Sequence, residues 1–137
     1  MQNLISELPH REPFVFLSEI VGDSPNGFQA LWRVDGGEDW LRGHFPTRPV
    51  VPGVLIIEAL GQCCGVSLLA RQTGIQRSGM LAQADVRFRA PVAPPAVLTL
   101  TSQVDREFGE LIRFQVSAQC EGRTVAEGAL VLALTAL

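Results

Sequence analysis

One segment dominates what this 137-residue sequence can fold into: the proline-free run from Val54 to about Arg71, rich in Leu, Ile and Ala, with apolar residues on nearly every face of a helix. Such a helix has no side to give to water and must be buried all round. Widened to Val50–Ala70 it approaches the length of a membrane span. It also holds Pro52, Gly53, Glu58 and Gln62, and polar groups at the centre of a lone span are expensive. The segment therefore reads as the central helix of a protein without a membrane span.

The cover for that helix has to come from the rest of the chain, which reads as strands. Phe14 to Val21 and Phe28 to Val34 are rich in β-formers and flank the turn signal Asp23-Ser24-Pro25-Asn26-Gly27, as in a hairpin. Met80 to Ala90, Val97 to Arg106, Leu111 to Cys120 and Thr124 to Ala136 each have strand length and are separated by turn residues. Two strands, one long helix and about four strands make an α+β layout, an antiparallel sheet wrapped around one long central helix. With no repeat, low-complexity tract or long linker, residues 1–137 form a single domain in this reading.

Composition narrows the classes of partner. A hydrophobic content of 47% with 18% charged residues supports a packed core, with apolar surface to spare for an oligomer. The net charge of −3 lacks the broad positive field that drives phosphate-backbone binding, so nucleic acid is not an expected partner. All 11 basic residues are Arg and none is Lys, which fits either genome composition or bidentate capture of phosphate. Cys63, Cys64 and Cys120 make neither a disulfide set nor a CxxC pair, and the N-terminus does not read as a signal peptide. A cytoplasmic location is expected.

The chemistry-bearing residues lie at the start of the helix. Glu58 is a carboxylate on a buried helix, costly unless paired, and an Arg partner or a wet edge would explain it without any function. Gln62, one turn later on the same face, can hold the carboxyl by a hydrogen bond. His44 is one of two histidines and sits among turn formers in Gly43-His44-Phe45-Pro46, where an ordinary surface histidine is the plain reading. Gly53 changes that weighting, because without a side chain it leaves the first N–H groups of the helix open to a ligand oxygen.

Taken together, Gly43-His44-Phe45-Pro46 and Arg48-Pro49-Val50-Val51-Pro52-Gly53-Val54-Leu55-Ile56-Ile57-Glu58-Ala59-Leu60-Gly61-Gln62 resemble the signature of the bacterial 3-hydroxyacyl-[acyl-carrier-protein] dehydratases of the FabZ type. Leu8-Pro9-His10-Arg11-Glu12-Pro13-Phe14 is similar to that family's N-terminal motif, and Val86-Arg87-Phe88-Arg89-Ala90-Pro91-Val92 to its strand after the helix. Three motifs in the right order over nearly the whole chain are far more specific than any short pattern.

The resemblance implies a hotdog fold and a hydro-lyase in fatty-acid or related acyl-chain biosynthesis. It takes 3-hydroxyacyl thioesters to trans-2-enoyl thioesters, with His44 as base, Glu58 as acid and the Gly53 N–H as oxyanion donor. No metal or redox cofactor is implied, the substrate riding on the phosphopantetheine of acyl carrier protein. It also implies a homodimer in which His44 of one subunit faces Glu58 of the other, a unit that many relatives assemble further into trimers of dimers. His10 matches the family motif but is expected to order its own segment rather than to catalyse.

Arg71, Arg77, Arg87 and Arg89 are candidates for docking the acidic carrier, or a solvated face. The sequence departs from the family at Pro94-Pro95-Ala96, where Pro-Gly-Asp is common. Its connection between Arg71 and Met80 is short, and it has no tyrosine to gate an acyl tunnel. The rival readings are a hotdog acyl thioesterase, a dehydratase that also isomerises the double bond, and a noncatalytic acyl-binding protein.

Overall fold

The computed structural model describes residues 3–71 and 77–136. A one-turn helix, α1 (Asn3–Ser6), precedes the hairpin of β1 (Glu19–Ser24) and β2 (Gly27–Val34). A 3-10 turn over Asp39–Gly43 leads to the long helix α2 (Gly53–Arg71). Four strands follow: β3 (Arg77–Phe88), β4 (Ala96–Phe108), β5 (Leu111–Cys120) and β6 (Arg123–Ala136). All pairings are antiparallel, in one sheet of order β1-β2-β4-β5-β6-β3.

Alternation decides which face of the sheet meets the helix. Phe28, Ala30, Trp32 and Val34 of β2 and Ile112, Phe114, Val116 and Ala118 of β5 point inward and are buried. Against them α2 places Ile56, Leu60, Cys63, Cys64 and Val66, and this contact is the core. The outward residues Arg113, Gln115 and Ser117 are polar, as expected of a sheet covered on one side. By length and composition α2 passes for a membrane span, but 61% of its apolar stretch is buried inside the fold.

Two expectations need correction. The first strand starts at Glu19, not Phe14, because the backbone before it is claimed elsewhere: the Phe16 N–H donates to the Gln62 side chain, and the Phe14 carbonyl accepts from it. Only from Ser18, whose N–H donates to the Leu31 carbonyl, does the chain join β2. The helix is also not buried all round. Val54 is 72% exposed, and Glu58, Gly61 and Gly65 along the same stripe are only partly covered. The sheet curves about the helix without closing, and β3 ends as an edge strand that leaves Met80 64% and Phe88 50% exposed. The connection expected to be short between Arg71 and Met80 lies largely outside the described residues.

Candidate active site

The His44 loop is built by main-chain hydrogen bonds on either side of one side chain. The 3-10 turn is anchored by buried Leu41, whose carbonyl accepts from the His44 N–H at 3.0 Å. Six residues on, the Val50 N–H donates to the His44 carbonyl at 2.9 Å, and the next N–H, of Val51, donates to Val92 at 2.8 Å. The loop is thereby clamped to the chain leaving β3. Within it His44 Nδ1 lies 2.9 Å from the Val50 carbonyl. A carbonyl only accepts, so Nδ1 carries the hydrogen and, in the neutral ring, Nε2 keeps its lone pair. A half-buried imidazole held in that tautomer is equipped as a base.

Gly53 follows nine residues later at the first position of α2, where a helix leaves its N–H groups without intrahelical partners. A Cβ at Gly53 would lie 2.9 Å from two carbons of the Phe88 ring. The residue must be glycine for Phe88 to approach, besides leaving the amides accessible. His44, Val51, Gly53, Ile56, Phe88 and Val92 line a cavity of about 410 Å³, and Arg89 stands among its other walls. Phe88 and Val92 lie in the motif quoted from the sequence, but sequence spacing carries no sign that Phe88 closes over Gly53.

Glu58 opens on a different cavity, about 480 Å³, with His10, Gly61, Met80, Leu81 and Leu132 among its walls. Both volumes fall in the range of small-molecule sites. Gln62 is 1% exposed and fully used: its Oε1 accepts from the Phe16 N–H, and its Nε2 donates to the Phe14 carbonyl and to Glu58 Oε2 at 3.0 Å. The expected hold of Gln62 on Glu58 is thus present. Among the described residues Glu58 has no Arg partner; His10 Nε2 is 3.1 Å from the same oxygen. His10 was expected to order only its own segment, and that contact, across 48 positions of sequence, has no local signal. Within one chain His44 and Glu58 line separate cavities.

The FabA-like domain model matches residues 8–129, a span that includes His10, His44, Gly53, Glu58 and Gln62. The chain belongs to the FabA-like family. A curated relative from Herpetosiphon aurantiacus, named 3-hydroxyacyl-[acyl-carrier-protein] dehydratase FabZ, is 36% identical over 137 residues, spanning 98% of this chain and 96% of the relative. Among solved structures, the dehydratase heterocomplex ApeI:P from Xenorhabdus doucetiae aligns with a TM-score of 0.73 at 20% identity over 96% of this chain and 90% of that one. The fluoroacetyl-CoA thioesterase FlK aligns at 0.69 and 15% identity, over 80% of this chain and 85% of its own. The FabA-like chain described here therefore has the hotdog fold, which dehydratases and a thioesterase share, so the fold alone does not select the reaction.

The docking arginines divide. Arg87 and Arg89 line a polar groove on the outer face of the sheet with Arg113, and Arg89 is paired with Glu127 at 2.8 Å. Arg71 is exposed at the end of α2, and the surroundings of the Arg77 side chain lie outside the described residues. Among the described residues, Arg89 is the one arginine that also borders the His44 cavity.

Proposed function

We propose that this protein is a dehydratase that converts 3-hydroxyacyl thioesters carried on acyl carrier protein to trans-2-enoyl thioesters. The single observation that carries the reading is the His44 ring, held by the Val50 carbonyl with Nε2 free as a base in a cavity that begins at the helix N-terminus. A thioesterase must direct water at a carbonyl; a base beside an oxyanion donor, with a carboxyl acid available, suits abstraction of a proton next to that carbonyl.

In the proposed reaction His44 Nε2 takes the proton from the carbon beside the thioester, and charge gathers on the thioester oxygen. The Gly53 N–H, at the positive end of α2, meets that charge. As the carbon–oxygen bond at C3 breaks, Glu58 protonates the departing hydroxyl, and water leaves. His44 ends protonated and Glu58 ionised, a state that hydration of the enoyl product reverses.

The base and the acid come from different subunits in this reading. Met80 and Leu81, near one end of β3, border the Glu58 cavity, and Phe88, at the other end, borders the His44 cavity. If two β3 edges pair antiparallel about a two-fold axis, the Phe88 end of one strand meets the Met80 end of the other, and the two half-sites join. Pairing would also cover an apolar edge that invites association. Docking of an acidic carrier beside Arg89, and a cytoplasmic setting for the free thiols of Cys63, Cys64 and Cys120, complete the proposal.

The test is direct. With 3-hydroxybutyryl and crotonyl thioesters, on acyl carrier protein and on coenzyme A, enoyl absorbance and free thiol are followed together. Interconversion without thiol release is expected. Thiol release without interconversion identifies a thioesterase, a 3-enoyl product identifies an isomerising enzyme, and binding without turnover identifies a noncatalytic acyl carrier.

A further inference from the structure

Two nitrogen atoms converge on one oxygen of Glu58: His10 Nε2 at 3.1 Å and Gln62 Nε2 at 3.0 Å from Oε2. The direction of the Gln62 bond is not free. Its Oε1 must face the Phe16 N–H, which only donates, and its Nε2 must face the Phe14 carbonyl, which only accepts. The main chain thus orients the amide, and its other N–H is left to donate to Oε2.

His10 is constrained from its far side. Nδ1 is buried and, among the described residues, has no hydrogen-bond partner; the Phe14 ring lies stacked against the imidazole at 6.1 Å. An imidazolium, or a neutral ring with hydrogen on Nδ1, would bury an N–H there with nothing to accept it. The tautomer with hydrogen on Nε2 buries only a lone pair, and its N–H points at Glu58.

A carboxyl oxygen has two lone pairs in its plane. Once N–H groups from Gln62 and His10 occupy both on Oε2, the proton of the acid belongs on Oε1. We propose that His10 is a positioning residue: as a neutral Nε2–H donor acting beside Gln62, it fixes the transferable proton of Glu58 on Oε1. The consequence for turnover rests on the dehydratase reading above; the premise rests on contact geometry alone. A proton on Oε2 would be turned towards the two donors, whereas one on Oε1 is free to pass to the departing hydroxyl. The carboxylate left behind keeps two hydrogen bonds.

Two measurements test this. In the resting protein labelled with nitrogen-15 histidine, ring correlation spectra at neutral pH should show His10 as the uncharged Nε2–H form. An imidazolium or an Nδ1–H ring overturns the proposal, whether or not the protein proves to be a dehydratase. In the thioester assay, His10→Phe keeps a ring and removes the donor, and is expected to lower kcat about tenfold with KM within about twofold. His10→Gln, whose amide N–H reaches the same place, should recover most of that loss. Unchanged kcat in His10→Phe, or an equal loss in both variants with native circular dichroism, overturns the proposal. If His10→Phe does not fold, His10→Gln and the labelled wild-type protein decide it. If the wild-type protein turns over no thioester, that counts against the dehydratase reading, and the tautomer decides this one.

Discussion

Gln62 reacts with nothing in the proposed scheme, yet it joins the N-terminal segment, the helix and the acid in one residue. Gln62→Leu keeps the volume but strands the Phe16 N–H and the Phe14 carbonyl, and should cost about 2–3 kcal/mol in urea denaturation. Cys63 gives a pH dependence. Burial pushes its thiol up from 9.0 to about 12, a contact with Ser102 offsetting only part of the rise. The unfolded chain therefore sheds a proton that the folded chain retains, so stability is full below pH 9.0 and declines as pH climbs towards about 12. Burial raises Cys64 as well. Melting temperatures should fall over that alkaline range, and less steeply in Cys63→Ala. At this scale the sequence made Gln62 legible through its spacing from Glu58 and His44 through its motif. It could not reveal His10 on Glu58, because nothing along the chain registers a contact between residues 48 positions apart.

Elements were legible where one force dominates. In β5 the alternation of buried and outward residues runs the whole length, and the expected strand Leu111 to Cys120 coincides with the observed one. The helix starts one residue before the expected Val54, since a glycine after proline begins a helix as readily as it ends a loop. The strand expected at Phe14 failed because a side chain, Gln62, outcompeted a neighbouring strand for its backbone groups, and pattern alone does not record such competition. The packing of β3 against the start of α2 makes a further prediction. Gly53→Ala sets a methyl 2.9 Å from the Phe88 ring and should cost about 1–2 kcal/mol, together with most of the activity. Adding Phe88→Ala should restore the stability but not the turnover, because the methyl still stands over the first amides of the helix. A double-mutant cycle in urea, with activity measured alongside, checks both parts.

At the scale of the whole molecule, the separation of His44 and Glu58 into two cavities of one chain becomes a question of subunits. His44→Ala and Glu58→Ala should each lower turnover about a hundredfold or more. When the two inactive chains are mixed, unfolded and refolded together, half of the dimers combine both chains and each of those holds one intact site. About a quarter of wild-type activity should therefore return. No recovery, with mixed dimers demonstrated by mass, would place the whole site in one chain. Order along the chain has a consequence of another kind. Synthesis runs from the N-terminus, so a ribosome delivers the apolar α2 when only β1 and β2 exist, and β3 to β6, which supply most of its cover, emerge afterwards. For that interval the nascent protein trails a bare greasy segment that translocation machinery could mistake for an anchor. Glu58 and Gln62, set near the middle of the segment, make that mistake costly.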